Sequence, residues 1–256
     1  MKIIIPMTGQ GSRFVKAGYD TYKALIRMHG QPVIEYVRDL FPGDNTIIFI
    51  CRNDMLKDND LEQYLLSLSP GAIVIGIDAH KLGPVYTVAQ VFDYIDDNEP
   101  VICNYCDFFM QWDYADFKKA VAGNRYAGAI PCYTGFHPHL LHPQNLYAGC
   151  QTDANMLLTE IREKYSFEED KSKGYHSAGT YYFDKGAHVK KYFTQLMDEK
   201  IMLNGEYYIS LVYNLMLRDG LDVLVYDKIP HFCQWGTPED MAEYNDWSSI
   251  FEAYSK

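Results

Sequence analysis

The chain has 256 residues, of which 48% are hydrophobic and 22% charged, proportions typical of a globular protein with a full apolar core. Its formal net charge of −11 opposes binding to nucleic-acid backbones and to anionic membrane surfaces. The sequence shows neither a signal peptide nor an apolar run of about 18 residues, so we expect a cytoplasmic protein without membrane or nucleic-acid partners.

The first half of the sequence alternates short apolar runs with segments of helical periodicity. The runs predict strands at residues 3–7, 46–51, 72–77 and 101–106. Apolar residues at helical spacing predict helices at residues 33–41, 56–68, 85–95 and 113–121. This order of elements indicates an α/β fold with a Rossmann-like, mostly parallel mixed sheet and helices on both faces.

The second half of the sequence predicts a smaller, β-rich part. Extended segments are expected at residues 126–132, 156–163, 176–183 and 223–225, with a loop rich in His, Pro, Asn and Gly at 135–153. Helices are expected at residues 189–197, 207–217 and 238–254. Thr237 is the expected N-cap of the last helix, with Asp240 at capping-box spacing. We expect a single domain over residues 1–256, with its two halves meeting near residue 125.

The strongest local signal is the glycine-rich stretch after the first predicted strand, Gly9-Gln10-Gly11-Ser12-Arg13-Phe14. Glycines at the end of a strand let backbone NH groups approach phosphates, and the Arg13 guanidinium suits phosphate oxygens. Lys16 and Lys23 follow near the same edge. A dinucleotide fingerprint is excluded because its third glycine would fall at Phe14, and no Walker A sequence is present. From composition alone, a tight surface turn remains the alternative.

Together with Tyr22-Lys23-Ala24-Leu25, this stretch resembles the signature of the sugar-phosphate nucleotidyltransferase family, Gly-x-Gly-Thr/Ser-Arg-Phe followed by Pro-Lys-Pro-Leu. Tyr22 and Ala24 replace both prolines, whereas the lysine is kept as Lys23. Further blocks similar to those of the family follow in its order over nearly the whole chain: Leu82-Gly83-Pro84, Asn104-Tyr105-Cys106-Asp107, Glu163-Lys164, Ser177-Ala178-Gly179-Thr180-Tyr181-Tyr182-Phe183, Glu206-Tyr207-Tyr208 and Trp235-Gly236-Thr237-Pro238-Glu239-Asp240.

The resemblance implies an enzyme that transfers a nucleoside monophosphate from an NTP to a small phosphorylated acceptor and releases pyrophosphate. Residues up to about 125 would bind the NTP and the remainder the acceptor. The catalytic residues that it implies are Arg13, Lys23 and Asp107. The nucleotide contacts that it implies are Met7, Gly9, Gly11, Ser12, Arg13, Leu82, Gly83 and Cys106. The acceptor contacts that it implies are Lys164, Tyr175, Ser177, Gly179, Tyr181, Glu206 and Tyr207.

The resemblance also implies a Mg²⁺ cofactor held by Asp107 at the end of the fourth strand. This position agrees with physical chemistry, because open parallel sheets bind ligands beyond the carboxyl ends of their strands and Mg²⁺ accepts one or two carboxylates plus phosphates. Without the resemblance, Asp107 would equally suit a cap on the following turn. Many family members have a second Asp where this chain has Gln234, so its amide and Asp240 are the candidates for the second ligand.

The donor base and the acceptor are less clearly indicated. The turn Leu82-Gly83-Pro84 differs from the Gln-rich turn of thymidylyl and uridylyl enzymes. The compact chain is similar to small cytidylyltransferases of bacterial capsule and surface-glycan synthesis, including those that use phosphoglutamine. We therefore expect CTP as the donor, and phosphoglutamine, a sugar phosphate or phosphocholine as the acceptor. The sequence does not indicate an oligomeric state.

Two other classes of function stay open. Gln234 would suit a regulatory module that binds nucleotide without catalysing transfer. A nucleotide-sugar glycosyltransferase is disfavoured, because the chain reads Asp107-Phe108-Phe109 where that class has an Asp-x-Asp metal motif.

Two groups of potential metal ligands are set aside. Cys103 and Cys106 have CxxC spacing, but residues three apart on a strand point to opposite faces, which disfavours a metal or redox role. His137, His139 and His142 cluster in the predicted loop at 135–153, where solvated side chains are expected ahead of a metal site.

Overall fold

The structure, a computed structural model, describes residues 1–43, 45–57 and 60–254. Its strands are β1 (Lys2–Pro6), β2 (Arg27–Met28), β3 (Gln31–Pro32), β4 (Thr46–Arg52), β5 (Ile73–Ile77), β6 (Val101–Asn104), β7 (Phe108–Gln111), β8 (Gly128–Tyr133), β9 (Gly149–Thr152), β10 (Leu158–Arg162), β11 (Tyr175–Ser177), β12 (Thr180–Phe183), β13 (Val223–Ile229) and β14 (His231–Gln234). Its α-helices are α1 (Ser12–Lys16), α2 (Val33–Asp39), α3 (Asp60–Leu68), α4 (Pro84–Ala89), α5 (Tyr114–Ala120), α6 (Gly186–Asp198), α7 (Ile209–Arg218) and α8 (Pro238–Tyr254).

The central sheet runs in the order β5-β4-β1-β6-β12-β8-β13. β1 pairs in parallel with β4 and β6, so that Ile4 lies opposite Ile48 on one side and Cys103 on the other. β12 runs antiparallel to β6 and β8, whereas β13 returns parallel to β8. The predicted mixed and mostly parallel sheet is therefore confirmed.

The core lies on both faces of this sheet. Ile3, Ile4 and Ile5 of β1 have no exposed surface. Ile3 and Ile5 belong to the apolar cluster that α2, α3 and α5 cover, while Ile4 belongs to the cluster under α4, α6 and α7. Burial on two faces explains why these strands read as continuous apolar runs, and the predicted helices on both faces are confirmed.

The β-rich part contains a strand that the sequence pattern did not predict. β9 lies inside the segment 135–153 expected to be a loop, and it pairs antiparallel with β10 and β11. The loop prediction is wrong there because the pairing partners lie further along the chain and the strand shows no apolar alternation. A Cβ at Gly149 would lie 2.4 Å from the carbonyl oxygen of Tyr165, so this glycine permits a close approach of two backbones.

Two predicted helices are shorter than expected. The helix expected over 56–68 begins only at Asp60, as α3, and residues 58 and 59 lie outside the described part. The helix expected over 85–95 ends at Ala89, as α4.

α8, by contrast, has the predicted bounds. The hydroxyl of Thr237 accepts the backbone NH of Asp240 at 3.1 Å, as expected of an N-cap. Among the helices of the described ranges, none is both long and apolar enough to cross a membrane.

The turn before α4 is docked onto the segment that leads into α7. The NH of Tyr207 donates to the carbonyl oxygen of Leu82 at 2.9 Å, and the NH of Val85 donates to that of Tyr207 at 3.2 Å. Gly83 allows this approach, because its backbone (φ 87, ψ 180) is open essentially to glycine alone and a Cβ would lie 2.8 Å from the Tyr207 nitrogen. The predicted base turn and acceptor segment therefore share one backbone ladder.

Gly83→Ala is expected to destabilise the fold more than Gly205→Ala. Both glycines have positive φ, 87° and 80°, but a Cβ at Gly205 would meet no atom within 4 Å. Positive-φ strain of about 1–3 kcal/mol accompanies both changes, and the clash with Tyr207 is added only at Gly83. Urea unfolding measures the free energy of unfolding of each variant. If both variants lose the same free energy of unfolding, the ladder does not constrain the turn.

Candidate nucleotidyltransferase site

Residues 7–11, named here the glycine loop, join β1 to α1. The NH of Met7 donates to the carbonyl oxygen of Ile50 at 2.8 Å, so the loop leaves the sheet while still bonded to β4. Gly11 has φ 59 and ψ 25, and α1 begins at the next residue, Ser12. Glycine adopts this left-handed conformation without a steric cost, which explains the abrupt change from strand to helix.

Arg52, which the sequence analysis did not select, fixes the glycine loop from the end of β4. Its Nη1 donates to the carbonyl oxygen of Gly9 at 3.0 Å, and its guanidinium binds both oxygens of Asp54 at 2.9 Å. This pairing raises the pKa of Arg52 and lowers that of Asp54, so both stay charged. A cavity of about 500 Å³ opens beside them, lined by Gln10, Arg52, Asn53, Asp54, Lys57, Asp78 and Ala79.

A hydrogen-bond network ties the glycine loop to α4. The hydroxyl oxygens of Thr8 and Thr87 lie 2.8 Å apart. Nδ1 of His80 accepts the NH of Leu82 at 3.1 Å, so its proton lies on Nε2, which is 3.0 Å from the Thr87 hydroxyl and donates to it. Burial lowers the pKa of His80 and favours this neutral ring. Thr87 in turn donates to the carbonyl oxygen of Gly83 at 3.2 Å, which joins the loop to the docked turn.

Lys23 and Asp107 meet as an ion pair beside the glycine loop. Lys23 Nζ lies 2.5 Å from Asp107 Oδ2, and the two side chains are 22% and 31% exposed. A Cβ at Gly11 would lie 3.9 Å from that of Lys23, which places the lysine against the loop. Burial and the Asp107 charge raise the pKa of the neighbouring Cys106 to about 12, so its thiol stays protonated. The carboxylate predicted to bind a metal therefore already has a cation beside it.

Gln234 and Asp240 lie side by side near the start of α8. Gln234 Nε2 donates to Asp240 Oδ2 at 3.1 Å, and the Thr237 hydroxyl donates to the same oxygen at 2.6 Å. In the register of β14 with β7, Gln234 lies opposite Phe108, the residue after Asp107. Over the described ranges, no group of three His, Cys, Asp or Glu side chains is arranged to hold a metal ion. A lone carboxylate completed by substrate phosphates and water is a set that Mg²⁺ accepts, so Asp107 fits a site shared with the nucleotide.

Lys164, Glu206 and Tyr208 form a hydrogen-bonded chain, named here the lysine cluster. Lys164 Nζ donates to the Tyr208 hydroxyl at 3.2 Å, which donates to Glu206 Oε2 at 2.5 Å. Burial and Glu206 raise the pKa of Tyr208, and the charge of Arg13 acts in the opposite direction. The lysine cluster flanks Tyr207, whose backbone is bonded to the turn before α4, so the bonds from Thr87 to Thr8 and to Gly83 connect this segment to the glycine loop.

Glu163, the first residue of the block Glu163-Lys164, is a half-buried carboxyl group next to the lysine cluster. Its Oε2 accepts the Ser210 hydroxyl at 2.5 Å. Burial raises the pKa of Glu163 to about 7, and Glu206 acts in the same direction, while Ser210 and Lys164 counteract them. The group therefore holds its proton to a higher pH than an ordinary glutamate does. Its position beside Lys164 was visible in the sequence, but its burial was not.

Ser177 and Gly179 lie at the break between β11 and β12. The NH of Gly179 donates to the Ser177 hydroxyl at 3.2 Å, and the carbonyl oxygen of Gly179 accepts the NH of Tyr105 at 3.1 Å. A Cβ at Gly179, where φ is 80°, would lie 3.1 Å from the Phe108 ring. This break therefore adjoins the segment that carries Asp107.

The three predicted acceptor tyrosines have side chains that pack within the protein. Tyr181 is 2% exposed, and burial raises its pKa. Tyr175 packs against the apolar core. The Tyr207 hydroxyl donates to the carbonyl oxygen of Met197 at 3.5 Å. Because neighbouring side chains point in different directions, it is Tyr208 and not Tyr207 that bonds to Lys164 and Glu206.

The histidines that follow β8 do not form the expected solvated group. His137 is 3% exposed and accepts the NH of Phe232 at 3.3 Å, and His139 Nε2 lies 2.9 Å from the Tyr133 hydroxyl. Burial, helped by neighbouring histidines, lowers the pKa of His139 to about 3, so its ring is neutral. Only His142 of the three is exposed. Neutral imidazoles pack well against Tyr133 and Phe232, which explains why His137 and His139 lie within the protein and not in solvent.

Comparison with known proteins places this geometry in a family. The profile of the MobA-like NTP transferase domain matches residues 3–164. No curated protein matches the sequence closely enough to count as a relative. Among solved structures, the nucleoside-diphosphate-sugar pyrophosphorylase from Vibrio cholerae RC9 has a TM-score of 0.76 at 19% identity, over 94% of this chain and 98% of that one. The inositol-1-phosphate CTP transferase from T. maritima has a TM-score of 0.70 at 15% identity, over 93% of this chain and 90% of that one.

These two likenesses agree on the fold, and the family match covers more than half of the chain, including the glycine loop, Asp107 and Lys164. The chain belongs to the family of MobA-like NTP transferases.

Proposed function

We propose that this nucleotidyltransferase is a cytidylyltransferase that transfers CMP from CTP to the phosphate of a small acceptor and releases pyrophosphate. The observation that carries the proposal is that the Lys23–Asp107 pair lies against the glycine loop, which hydrogen bonds join to the segment of the lysine cluster. In this proposal, residues up to about 125 bind CTP and the rest of the chain binds the acceptor.

The proposed reaction is an in-line displacement at the α-phosphorus. An oxygen of the acceptor phosphate forms the new bond as the bond to the bridging oxygen of the β-phosphate breaks, and pyrophosphate leaves. The acceptor phosphate is ionised at neutral pH and needs no general base, because its second pKa is about 6. Arg13 and Lys23 neutralise charge on the leaving group, and Lys164 holds the attacking phosphate.

We further propose that Asp107 holds the Mg²⁺ that such transferases generally use. The ion supplies positive charge at the nucleotide phosphates when it is bound. With the ion bound, Lys23 would exchange its contact with the Asp107 carboxylate for the phosphate oxygens of CTP. Gln234 and Asp240 would support the ion through an amide and a carboxylate oxygen.

The choice of CTP is supported by the cavity next to the glycine loop. Asn53 Nδ2 donates to Asp78 Oδ1 at 2.9 Å, which orients the carboxylate at the cavity wall. A carboxylate accepts further hydrogen bonds but donates none. It therefore suits the exocyclic amine of cytosine and repels the carbonyl oxygen that uracil and thymine present there. The inositol-1-phosphate CTP transferase from T. maritima, which has the same fold, is named for the use of CTP.

The acceptor class is supported by the two carboxyl groups around Lys164. Lys164 suits a phosphate, whereas Glu163 and Glu206 accept hydrogen bonds. An acceptor that carries hydroxyl groups a few ångströms from its phosphate satisfies both requirements. We therefore favour a sugar phosphate as the acceptor.

Pyrophosphate release tests the proposed activity. The chain is incubated with Mg²⁺, each NTP, and sugar 1-phosphates, phosphoglutamine or phosphocholine, and release is expected with CTP and a sugar phosphate. Asp107→Asn is expected to reduce the rate by about 10²–10³-fold while the protein stays folded, whereas Asp198→Asn, which changes an exposed carboxylate on α6, keeps full activity. If CTP binds but no acceptor yields pyrophosphate, the non-catalytic regulatory module replaces this proposal.

Asp78→Asn is expected to weaken the preference for CTP over UTP by about tenfold or more, because the asparagine amide can also donate to a carbonyl oxygen. Asp54→Asn is the matched control, since it removes the same charge from the same cavity but acts through Arg52. It should change kcat/KM for CTP and UTP alike. A CTP-to-UTP ratio unchanged in Asp78→Asn would contradict base recognition by Asp78.

Glu163→Gln is expected to stabilise the protein at pH 8 and to have little effect at pH 5. The folded state holds the Glu163 proton up to a pKa of about 7, against 4.5 ordinarily, so stability falls as pH rises through that window. The amide avoids this loss, at most about 3 kcal/mol, and keeps a partner for Ser210. Tm at both pH values measures the effect, with exposed Glu168→Gln as control. A Tm difference independent of pH would contradict the burial of an ionisable Glu163.

A further inference from the structure

Lys164 lies in a strained stretch of backbone just beyond the end of β10. Its φ is 55°, in the left-handed region that residues with a side chain rarely adopt. Such a conformation persists only where the surrounding structure imposes it, and residues of this kind cluster at ligand sites. The contacts around Lys164 therefore show what the strained turn holds in place.

The residues on either side of Lys164 are both anchored. Glu163 Oε2 accepts the hydroxyl of Ser210, which ties the turn to the first residues of α7. On the other side, the NH of Tyr165 donates to the carbonyl oxygen of Tyr147 at 3.2 Å. The backbone of Lys164 is thus held between α7 and the segment that leads into β9.

The ammonium group of Lys164 is held as well, by Tyr208. Nζ donates to the Tyr208 hydroxyl at 3.2 Å and lies 5.2 Å from the centroid of the ring. The hydroxyl donates its own proton to Glu206 Oε2 at 2.5 Å, so its lone pairs are left for the ammonium. The negative face of the ring also attracts a cation. Two contacts to one tyrosine therefore fix the charged end of a flexible side chain.

Tyr208 has a fixed place at the start of α7. It is the residue before this helix, with the extended backbone angles φ −90 and ψ 140. The residue before it, Tyr207, is bonded to the turn that precedes α4. Ser210, two residues after Tyr208, binds Glu163. The start of α7 thus positions Lys164 twice, at its backbone through Glu163 and at its ammonium through Tyr208.

We propose that Tyr208 is a positioning residue that holds the Lys164 ammonium where it receives the acceptor phosphate. The inference rests on the proposed transfer to a phosphorylated acceptor. A lysine side chain loses much conformational freedom when it is fixed on a ligand, and contacts that fix it beforehand remove part of that cost. The phosphate need not displace Tyr208, because an ammonium has three donors and the hydroxyl takes one.

Tyr226→Phe is the matched control for Tyr208→Phe. The Tyr226 hydroxyl also donates to a carboxylate, Asp116 Oδ2, at 2.9 Å, and Lys228 Nζ lies 5.8 Å from the centroid of its ring. This tyrosine lies on β13, and the article's proposed site contains none of the three residues. Both changes remove one hydroxyl from a group of lysine, tyrosine and carboxylate, so both are expected to lower Tm. Only Tyr208→Phe is expected to weaken the binding of phosphate.

The binding test uses inorganic phosphate as the probe of the acceptor site. Phosphate is titrated by thermal shift onto the full chain, saturated with Mg²⁺ and a CTP analogue that has a methylene group between its α- and β-phosphates. Tyr208→Phe is expected to raise the phosphate concentration at half-maximal shift about threefold or more, and Lys164→Met about tenfold or more. Half-saturation by the CTP analogue should not change in either variant.

The double variant separates positioning of Lys164 from a general structural role. If Tyr208 acts through the ammonium, Tyr208→Phe has no further effect on phosphate binding once Lys164→Met is present. A further threefold loss in that background would overturn the inference. If Lys164→Met abolishes the response to phosphate, the comparison with Tyr226→Phe decides, and equal half-saturation in Tyr208→Phe and Tyr226→Phe would overturn it.

The failure of this inference is distinguishable from the failure of the proposed function. Half-saturation by phosphate that is unchanged in Tyr208→Phe overturns the inference alone. Phosphate binding that is unchanged in Lys164→Met, or absent from an unaltered chain that binds the CTP analogue, overturns it together with the proposed role of Lys164. If the unaltered chain does not bind the CTP analogue at all, the proposed function fails, and this inference fails with it.

Discussion

The ion pair between Lys23 and Asp107 is the interaction on which the site depends. It joins residues 84 positions apart, one against the glycine loop and the other just beyond the end of β6. Each charge stabilises the other while no substrate is present. In the proposed function, Asp107 would hold Mg²⁺ and Lys23 would contact the nucleotide phosphates, so the same two side chains would serve the substrate. A chain with a net charge of −11 can then bind a polyanion through a few local cations.

Hydrogen bonds connect the two predicted sides of this site. The backbone ladder between Leu82 and Tyr207 joins the predicted base turn to the predicted acceptor segment, and the contact between the Thr8 and Thr87 hydroxyl groups joins α4 to the glycine loop. Movement of any of these segments therefore disturbs the others. Gly83 lies where the turn meets Tyr207, and a side chain there would displace Tyr207. In the proposed reaction, these bonds would keep the donor and the acceptor at the spacing that an in-line displacement needs.

The sequence predicts the features that depend on local patterns. The apolar runs predict the parallel strands, and because the carboxyl ends of parallel strands share an edge, Lys23 and Asp107 could be expected together. Glu163 and Tyr208 stand in family-like blocks, but their contacts were not predicted, because these depend on distant segments, such as the bond to Glu163 from a residue 47 positions away. β9 was missed for the same reason.

The most direct test of the central claim is thermal unfolding with each NTP, in the presence and absence of Mg²⁺. If CTP binds through phosphate contacts and an ion on Asp107, CTP at 100 times its Kd stabilises the fold by about 2.7 kcal/mol when Mg²⁺ is present. The shift should be smaller without Mg²⁺ and smaller with UTP. The absence of a shift with every NTP, or equal shifts with and without Mg²⁺, would contradict the account.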